Sequence, residues 1–284
     1  MGAIAMNKIE AVNLSKKYPT FQLKNVSFEV PKGYVTGFIG KNGAGKTTTI
    51  KAILSMIDYN GAILIDGKNT KETNYHQEVG VVMDDSFLAK DWTIKNVNQA
   101  MEIGYENWNE NTFFQYLQNF DIDCSLKVKE LSRGMKIKLM LSIALSHSAN
   151  LLILDEPTSG LDPSMRDEFT GLISNFMRDE NNTVLFSTHI TQDLEAIADY
   201  IVFIDKGEIV LSKEKDEFKN YFMILKGDAE NCEKIDETAI LGKKGGPHNC
   251  ELLIKREALS SVPDGFAEDI VTIDRIIVLY ERMA

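Results

Sequence analysis

Cysteine is scarce and poorly spaced for chemistry. Cys124, Cys232 and Cys250 are the only three in 284 residues, odd in number and without a CxxC pair. That spacing argues against a metal centre or a disulfide framework and predicts free thiols in a reducing cytoplasm. Long apolar runs are also missing. No stretch approaches the roughly 18 residues a membrane helix needs, and no basic start leads into an apolar segment as in a secretory signal. Positive charge is in deficit: 31 Lys and Arg against 42 Asp and Glu leave a net charge of −11. Nucleic-acid binding draws on a basic face, so no nucleic-acid partner is expected. Any phosphate site must be built locally, against the overall field. What is present, 44% hydrophobic and 26% charged residues, is the composition of a soluble globular chain with room for one large domain and one small one. MGAIA before Met6 resembles a tag remnant, so residues 1–6 are set aside.

From Lys8 to Val30 apolar and polar residues alternate, which predicts two antiparallel strands. YVTGFIG reads as a buried strand running into a glycine-rich turn, and KTTTIKAILSMI as the helix after it. GAILIDGK predicts a strand with a turn at Asp66-Gly67. Aromatic-rich helical patterns predict a helical subdomain over about residues 88–148. Strand and helix then alternate through LLILD, DEFTGLISNFM, TVLFSTH, QDLEAIAD and YIVFID, the pattern of a parallel sheet covered on both faces. IVFIDKGEIVL predicts a closing hairpin. Beyond about residue 213 the chain becomes charged, with GKKGGP and short strand-like runs, so the main domain is placed at 7–212 and a small α+β accessory domain at 213–284. No internal repeat is visible.

GKNGAGKT, residues 40 to 47, fits the phosphate-loop pattern GxxxxGK[ST] in the context that gives it meaning, between a strand and a helix. Gly40, Gly43 and Gly45 let backbone N–H groups curl around phosphate oxygens, with Asn42 and Ala44 between them. Lys46 can reach the outer phosphates, and the Thr47 hydroxyl can ligate Mg²⁺. The competing reading is a glycine-rich turn with a surface lysine; the flanking elements weigh against it.

LLILDEPTSGLD delivers Asp155 and Glu156 at the C-terminal end of a buried strand, where open α/β sheets place ligands. Asp155 suits Mg²⁺, and Glu156 suits orienting and polarising a water. His189 ends TVLFSTH on the same edge, placed to hydrogen-bond a terminal phosphate. His76, His147 and His248 are read as ordinary. Asp162-Pro163 fits a helix start with an N-cap and a proline at the first position, so capping alone is one explanation of it. LSRGMKIKL, residues 131 to 139, is another helix start: Leu131 packs, Ser132 caps, and Gly134 keeps the backbone bare. Its free N–H groups and positive end suit an anion, yet no anion site adjoins it in the sequence.

The ordered set GKNGAGKT, LSRGM, LLILDEP, SGLD and STH resembles the ATP-binding subunit of an ABC transporter over roughly residues 7–212. The resemblance implies a P-loop NTPase of the ABC type, α/β in class, with an antiparallel β subdomain, a helical subdomain and here the accessory domain. It implies an ATPase that uses ATP and Mg²⁺ and powers a separate membrane permease. Such a subunit is cytoplasmic and peripheral on the inner face of the cell membrane. It also implies a head-to-tail pair, a homodimer or a heterodimer with a related ATPase subunit, in which the LSRGM start of one chain faces the γ-phosphate on the other. On that basis Ser132, Arg133, Gly134 and Met135 form the signature acting in trans, Asp162 communicates between sites, and His189 holds the γ-phosphate. Tyr18 matches the aromatic that stacks on adenine, and Thr48 a position near the α-phosphate.

Two departures stand out. The family's usual signature is LSGGQ, and here Arg133 and Met135 replace glycine and glutamine. In VGVVMDD, Asp84 takes the place of a glutamine that contacts Mg²⁺ and couples to the permease, with Asp85 next to it. The helical subdomain, Asp84 and the C-terminal extension look similar to ATPases of Gram-positive exporters of amphipathic peptides, including the phenol-soluble modulin type. Chromosome-maintenance and DNA-repair ATPases share the head motifs but carry a long heptad-rich insertion that this chain does not have. A nucleotide-gated regulatory module is the third reading, and the presence of Glu156, His189 and Ser132 speaks against it.

Overall fold

The computed structural model describes residues 6–83, 87–246, 248–259 and 261–282. Asp84 and Asp85 lie outside the described residues. The contacts divide the chain into two compact units, with the boundary between Ser212 and Lys213.

In the larger unit, β1 (Asn7–Lys17) and β2 (Gln22–Pro31) pair antiparallel, with Ala11 opposite Phe28. Leu23, Val26, Phe28 and Val30 are buried at every other or every third position, the half-buried pattern the alternating sequence encodes. β1 also pairs antiparallel with β4 (Asn60–Ile65), and β5 (Lys68–Asn69) closes this sheet.

The second sheet holds the site. Its order is β10-β9-β3-β8-β7-β6, formed by β3 (Val35–Ile39), β6 (Val79–Val82), β7 (Leu151–Asp155), β8 (Thr183–Thr188), β9 (Tyr200–Asp205) and β10 (Glu208–Glu214). The pairs β3–β8, β3–β9, β7–β8 and β6–β7 are parallel. β3, β7 and β8 are buried along their whole length, as strands covered on both faces must be. Their register sets Ile39 beside Thr188 and Asp155 beside Ser187, so three strands release their chains at one edge.

Helix α1 (Lys46–Ile53) follows β3. Between β6 and β7 lie α2 (Ile94–Gly104), α3 (Glu110–Asn119) and α4 (Arg133–Ala144). They close a separate core around Val97, Phe113, Leu117, Leu139 and Ile143. α5 (Pro163–Phe176) and α6 (Thr191–Ile197) cross between the later strands. No helix among the described residues is long and apolar enough to cross a membrane.

The smaller unit contains α7 (Lys215–Tyr221), β11 (Phe222–Gly227), α8 (Ala229–Cys232), β12 (Ile240–Gly245), β13 (Cys250–Lys255), β14 (Phe266–Asp269) and α9 (Ile273–Tyr280). The strands form an antiparallel sheet in the order β12-β13-β11-β14. α9 turns Ile273, Ile276 and Leu279 inward. The expectation of three free thiols is corrected here. Cys232 at the end of α8 is joined to Cys250 at the start of β13, with Cα atoms 6.5 Å apart, and only Cys124 is free. The two cysteines lie 18 positions apart in sequence. The β11–β13 pairing that sets Gly227 opposite Cys250 returns the chain to α8, which no local spacing reveals.

Candidate functional site

The loop leaving β3 is shaped by its glycines. A β-carbon on Gly40 would lie 2.3 Å from the backbone oxygen of Ile204, and one on Gly45, at φ +119°, would lie 2.7 Å from Leu23 Cδ2 and 2.9 Å from Phe21 Cζ. Only glycine allows that approach. Gly45 is the residue preceding α1 and offers no side-chain cap, so the first N–H groups of the helix are left for an anion. Ala44 is buried in the core and takes part through its backbone, donating from N to Lys41 O at 3.1 Å.

Lys46 is 5% exposed. Its Nζ donates to Gly40 O at 2.6 Å and Lys41 O at 3.2 Å, and it lies 3.2 Å from Glu156 Oε1. The other Glu156 oxygen, Oε2, is 2.5 Å from His189 Nδ1 and accepts from His189 N at 3.3 Å. Glu156 is therefore held between the phosphate-loop lysine and the histidine released by β8. Its backbone is fixed as well: at φ 51°, its N–H donates to Ser187 O at 3.0 Å.

One residue earlier, Asp155 is 1% exposed, and its Oδ1 accepts from Ser187 Oγ at 2.6 Å. Burial pushes its carboxyl above the usual carboxylate range, while hydrogen bonds from Ser187 and Thr47 pull the other way. Thr47 and Asp155 thus present hard oxygen donors side by side. No group of three or more His, Cys, Asp or Glu among the described residues forms a metal cage. That donor set suits Mg²⁺, which binds through one or two protein oxygens and completes its shell with water and substrate phosphates.

These groups border an open hollow of about 730 Å³, within the size range of small-molecule sites. Tyr18, Phe21, Asn42, Gly43, Thr47 and Thr48 line it together with Lys46, Glu156 and His189. Tyr18 sits at the turn between β1 and β2, so the first sheet supplies an aromatic edge to a site whose charges come from the second. Sequence reasoning missed Phe21, Lys41, Ser159 and the supporting Ser187. Lys41 and Ser159 lie inside motifs already marked, whereas Phe21 and Ser187 enter only through strand register.

Ser132, Arg133, Gly134, Met135 and Asp162 gather elsewhere. Ser132 Oγ caps α4 by accepting from Met135 N at 3.2 Å. Asp162 Oδ1 caps α5 by accepting from Met165 N at 3.0 Å, with Pro163 in the first position. A β-carbon on Gly134 would lie 2.1 Å from Met165 Cε. The two helix starts therefore pack side by side, with Met165 lying over Gly134.

Comparison with known proteins bears on the same segments. The family model described as ABC transporter matches residues 23–159. The chain is 35% identical over 236 residues to the lantibiotic transport ATP-binding protein SrtF of Streptococcus pyogenes, covering 82% of this chain and 97% of that one. It is 30% identical over 218 residues to the bacitracin transport ATP-binding protein BcrA of Enterococcus faecalis, covering 71% and 68%. Among solved structures, an ATP-binding subunit of an ABC transporter superposes with a TM-score of 0.67 at 27% identity, covering 74% of this chain and 91% of that one. A bacterial ABC transporter cassette in dimeric form shares the fold at 20% identity, with a TM-score of 0.64 and coverage of 72% and 98%.

Proposed function

The chain belongs to the ABC transporter family of ATP-binding ATPases, and from that premise we propose that it powers a separate membrane permease exporting a peptide. The observation that carries the site assignment is Glu156, gripped between Lys46 at 3.2 Å and His189 at 2.5 Å over the start of α1. Lys46 and the loop N–H groups bind the phosphates. Thr47 and Asp155 would hold Mg²⁺, which would supply positive charge against the phosphates. Glu156 orients and polarises the attacking water, and His189 hydrogen-bonds the terminal phosphate. Tyr18 and Phe21 offer the base an apolar edge. The bearing on cargo comes from SrtF and BcrA, named for lantibiotic transport and for bacitracin transport.

Two chains pair head to tail, each completing the other's pocket with Ser132, Gly134 and the Asp162 turn. A cassette of the same fold has been solved as a dimer. Glu156→Gln keeps shape and hydrogen bonding but removes the charge that polarises water. It is expected to bind Mg-ATP, lose nearly all hydrolysis and accumulate as a dimer in light scattering. A variant that stays monomeric with saturating Mg-ATP, both alone and with its permease, would refute the paired site.

A further inference from the structure

Ser187 stands next to last in β8, a strand buried at every position, and is itself 0% exposed. A hydroxyl in such a place is costly unless its hydrogen-bonding capacity is used. Here it is used on the two acids of the site. Ser187 Oγ donates to Asp155 Oδ1 at 2.6 Å and accepts from the N–H of Glu156 at 3.2 Å. The same N–H donates to Ser187 O at 3.0 Å, so the serine holds Glu156 by side chain and main chain together. The parallel register sets Asp155 beside Ser187, and Glu156 is the first residue beyond β7, turned to φ 51°. A non-glycine residue keeps that conformation only where its surroundings fix it. Two residues on, His189 Nδ1 meets the Glu156 carboxylate, and Thr188 Oγ1 between them accepts from Ile190 N at 2.9 Å. The end of β8 thus grips Glu156 at its backbone and at its carboxylate.

We propose that Ser187 is a positioning residue of the ATPase site: its one hydroxyl fixes both the Asp155 carboxylate and the Glu156 backbone, and so sets the two acids relative to each other. This rests on the assignment above of Asp155 to the metal and Glu156 to the water. With Oδ1 tied to β8, the Asp155 carboxylate does not swing, and Thr47, which also hydrogen-bonds it, meets it in one orientation. Groups that orient a metal ligand in this way govern its affinity for the ion. An alanine in place of Ser187 leaves the pairing of β7 with β8 intact. It removes the donor to Asp155 and leaves the Glu156 N–H with the Ser187 carbonyl alone.

The test uses the full chain saturated with ADP and reads Mn²⁺ binding by electron paramagnetic resonance, since Mn²⁺ takes the same oxygen donors as Mg²⁺. ADP affinity in EDTA reports whether the phosphate loop is intact. Ser187→Ala removes the hydroxyl; Ser187→Thr keeps it. Ser187→Ala is expected to weaken Mn²⁺ binding about tenfold or more, with the EDTA value unchanged, and Ser187→Thr to recover most of the loss. If Ser187→Ala fails to fold, Ser187→Cys, close to serine in shape and a weaker donor, is expected to move Mn²⁺ binding in the same direction. Turnover at saturating Mg²⁺ and ATP is expected to stay low in Ser187→Ala, because the Glu156 N–H has lost one acceptor; turnover restored by metal alone would overturn the role towards Glu156. Mn²⁺ held as tightly by Ser187→Ala as by the parent would overturn the inference while leaving the metal assignment standing. An equal loss in Ala and Thr would overturn it too, by assigning the effect to packing within β8. A parent that binds no Mn²⁺ with ADP would remove the metal assignment, and this inference with it.

Discussion

Lys46 shows how much of this site rests on one side chain. Buried in its loop and bonded to two carbonyls, it supplies the cation nearest the helix start. Lys46→Ala is expected to weaken ATP binding by about tenfold or more, since a hydrogen bond to a charged group contributes roughly 1.5–3 kcal/mol; an ATP titration that does not move would remove Lys46 from the site. Gly45→Ala is expected to cost about 1–3 kcal/mol of stability from its positive φ, before the clash with Phe21 and Leu23 is counted, and chemical denaturation would read it. Residues of this kind were legible in the sequence because their spacing is local: one loop fixes Gly40 to Thr47, and one strand end fixes Asp155 and Glu156. Ser187 and Phe21 were not, because only the pairing of β7 with β8, and the meeting of two sheets, brings them in.

Among the elements, α4 joins two parts of the larger unit. Its start faces α5, and its far end runs into His147, which was read as ordinary from the sequence. His147 is 1% exposed, stacks on Tyr105 with ring centroids 3.9 Å apart, and sets Nδ1 3.2 Å from Gln77 O. Gln77 in turn donates to Gly104 O at 3.0 Å and accepts from Glu106 N at 3.0 Å, tying the end of α2 to the approach of β6. Burial lowers the His147 pKa below its ordinary 6.5. The unfolded chain therefore takes up a proton below that value that the folded chain refuses. Stability from this group is complete above about pH 7 and is lost as pH falls, by up to about 1.4 kcal/mol per pH unit. Thermal melts between about pH 7.5 and 5.5 should show this slope, and His147→Phe, which keeps a ring on Tyr105, should flatten it. The helical pattern of this region was readable; the knot was not, since its members are far apart in the chain.

For the molecule as a whole, the smaller unit is where sequence reading carried least. Its sheet is antiparallel, its strands are short, and its link between Cys232 and Cys250 spans a loop that composition does not expose. Closing a loop of about 15 residues stabilises by roughly 3 kcal/mol in the chain-entropy picture. Reduction, or Cys250→Ser, is expected to lower the unfolding free energy of the smaller unit by that order, with non-reducing mass spectrometry showing the mass of one bridge in the untreated chain. A chain whose mass and melting do not respond to reductant would show that these cysteines are thiols in solution. By contrast the larger unit could be placed from motifs, because alternating strands and helices leave few topologies to choose from.

The hollow takes its aromatic wall from the β1–β2 turn and its charged floor from the ends of β3, β7 and β8. A molecule lodged there acts as a rivet through both sheets, so cofactor supply governs rigidity as well as turnover. At a hundred times its dissociation constant such a ligand adds about 2.7 kcal/mol to the bound fold. Starving the protein of nucleotide should loosen the β1–β2 corner first, and hydrogen exchange at Tyr18 to Phe21 should register it.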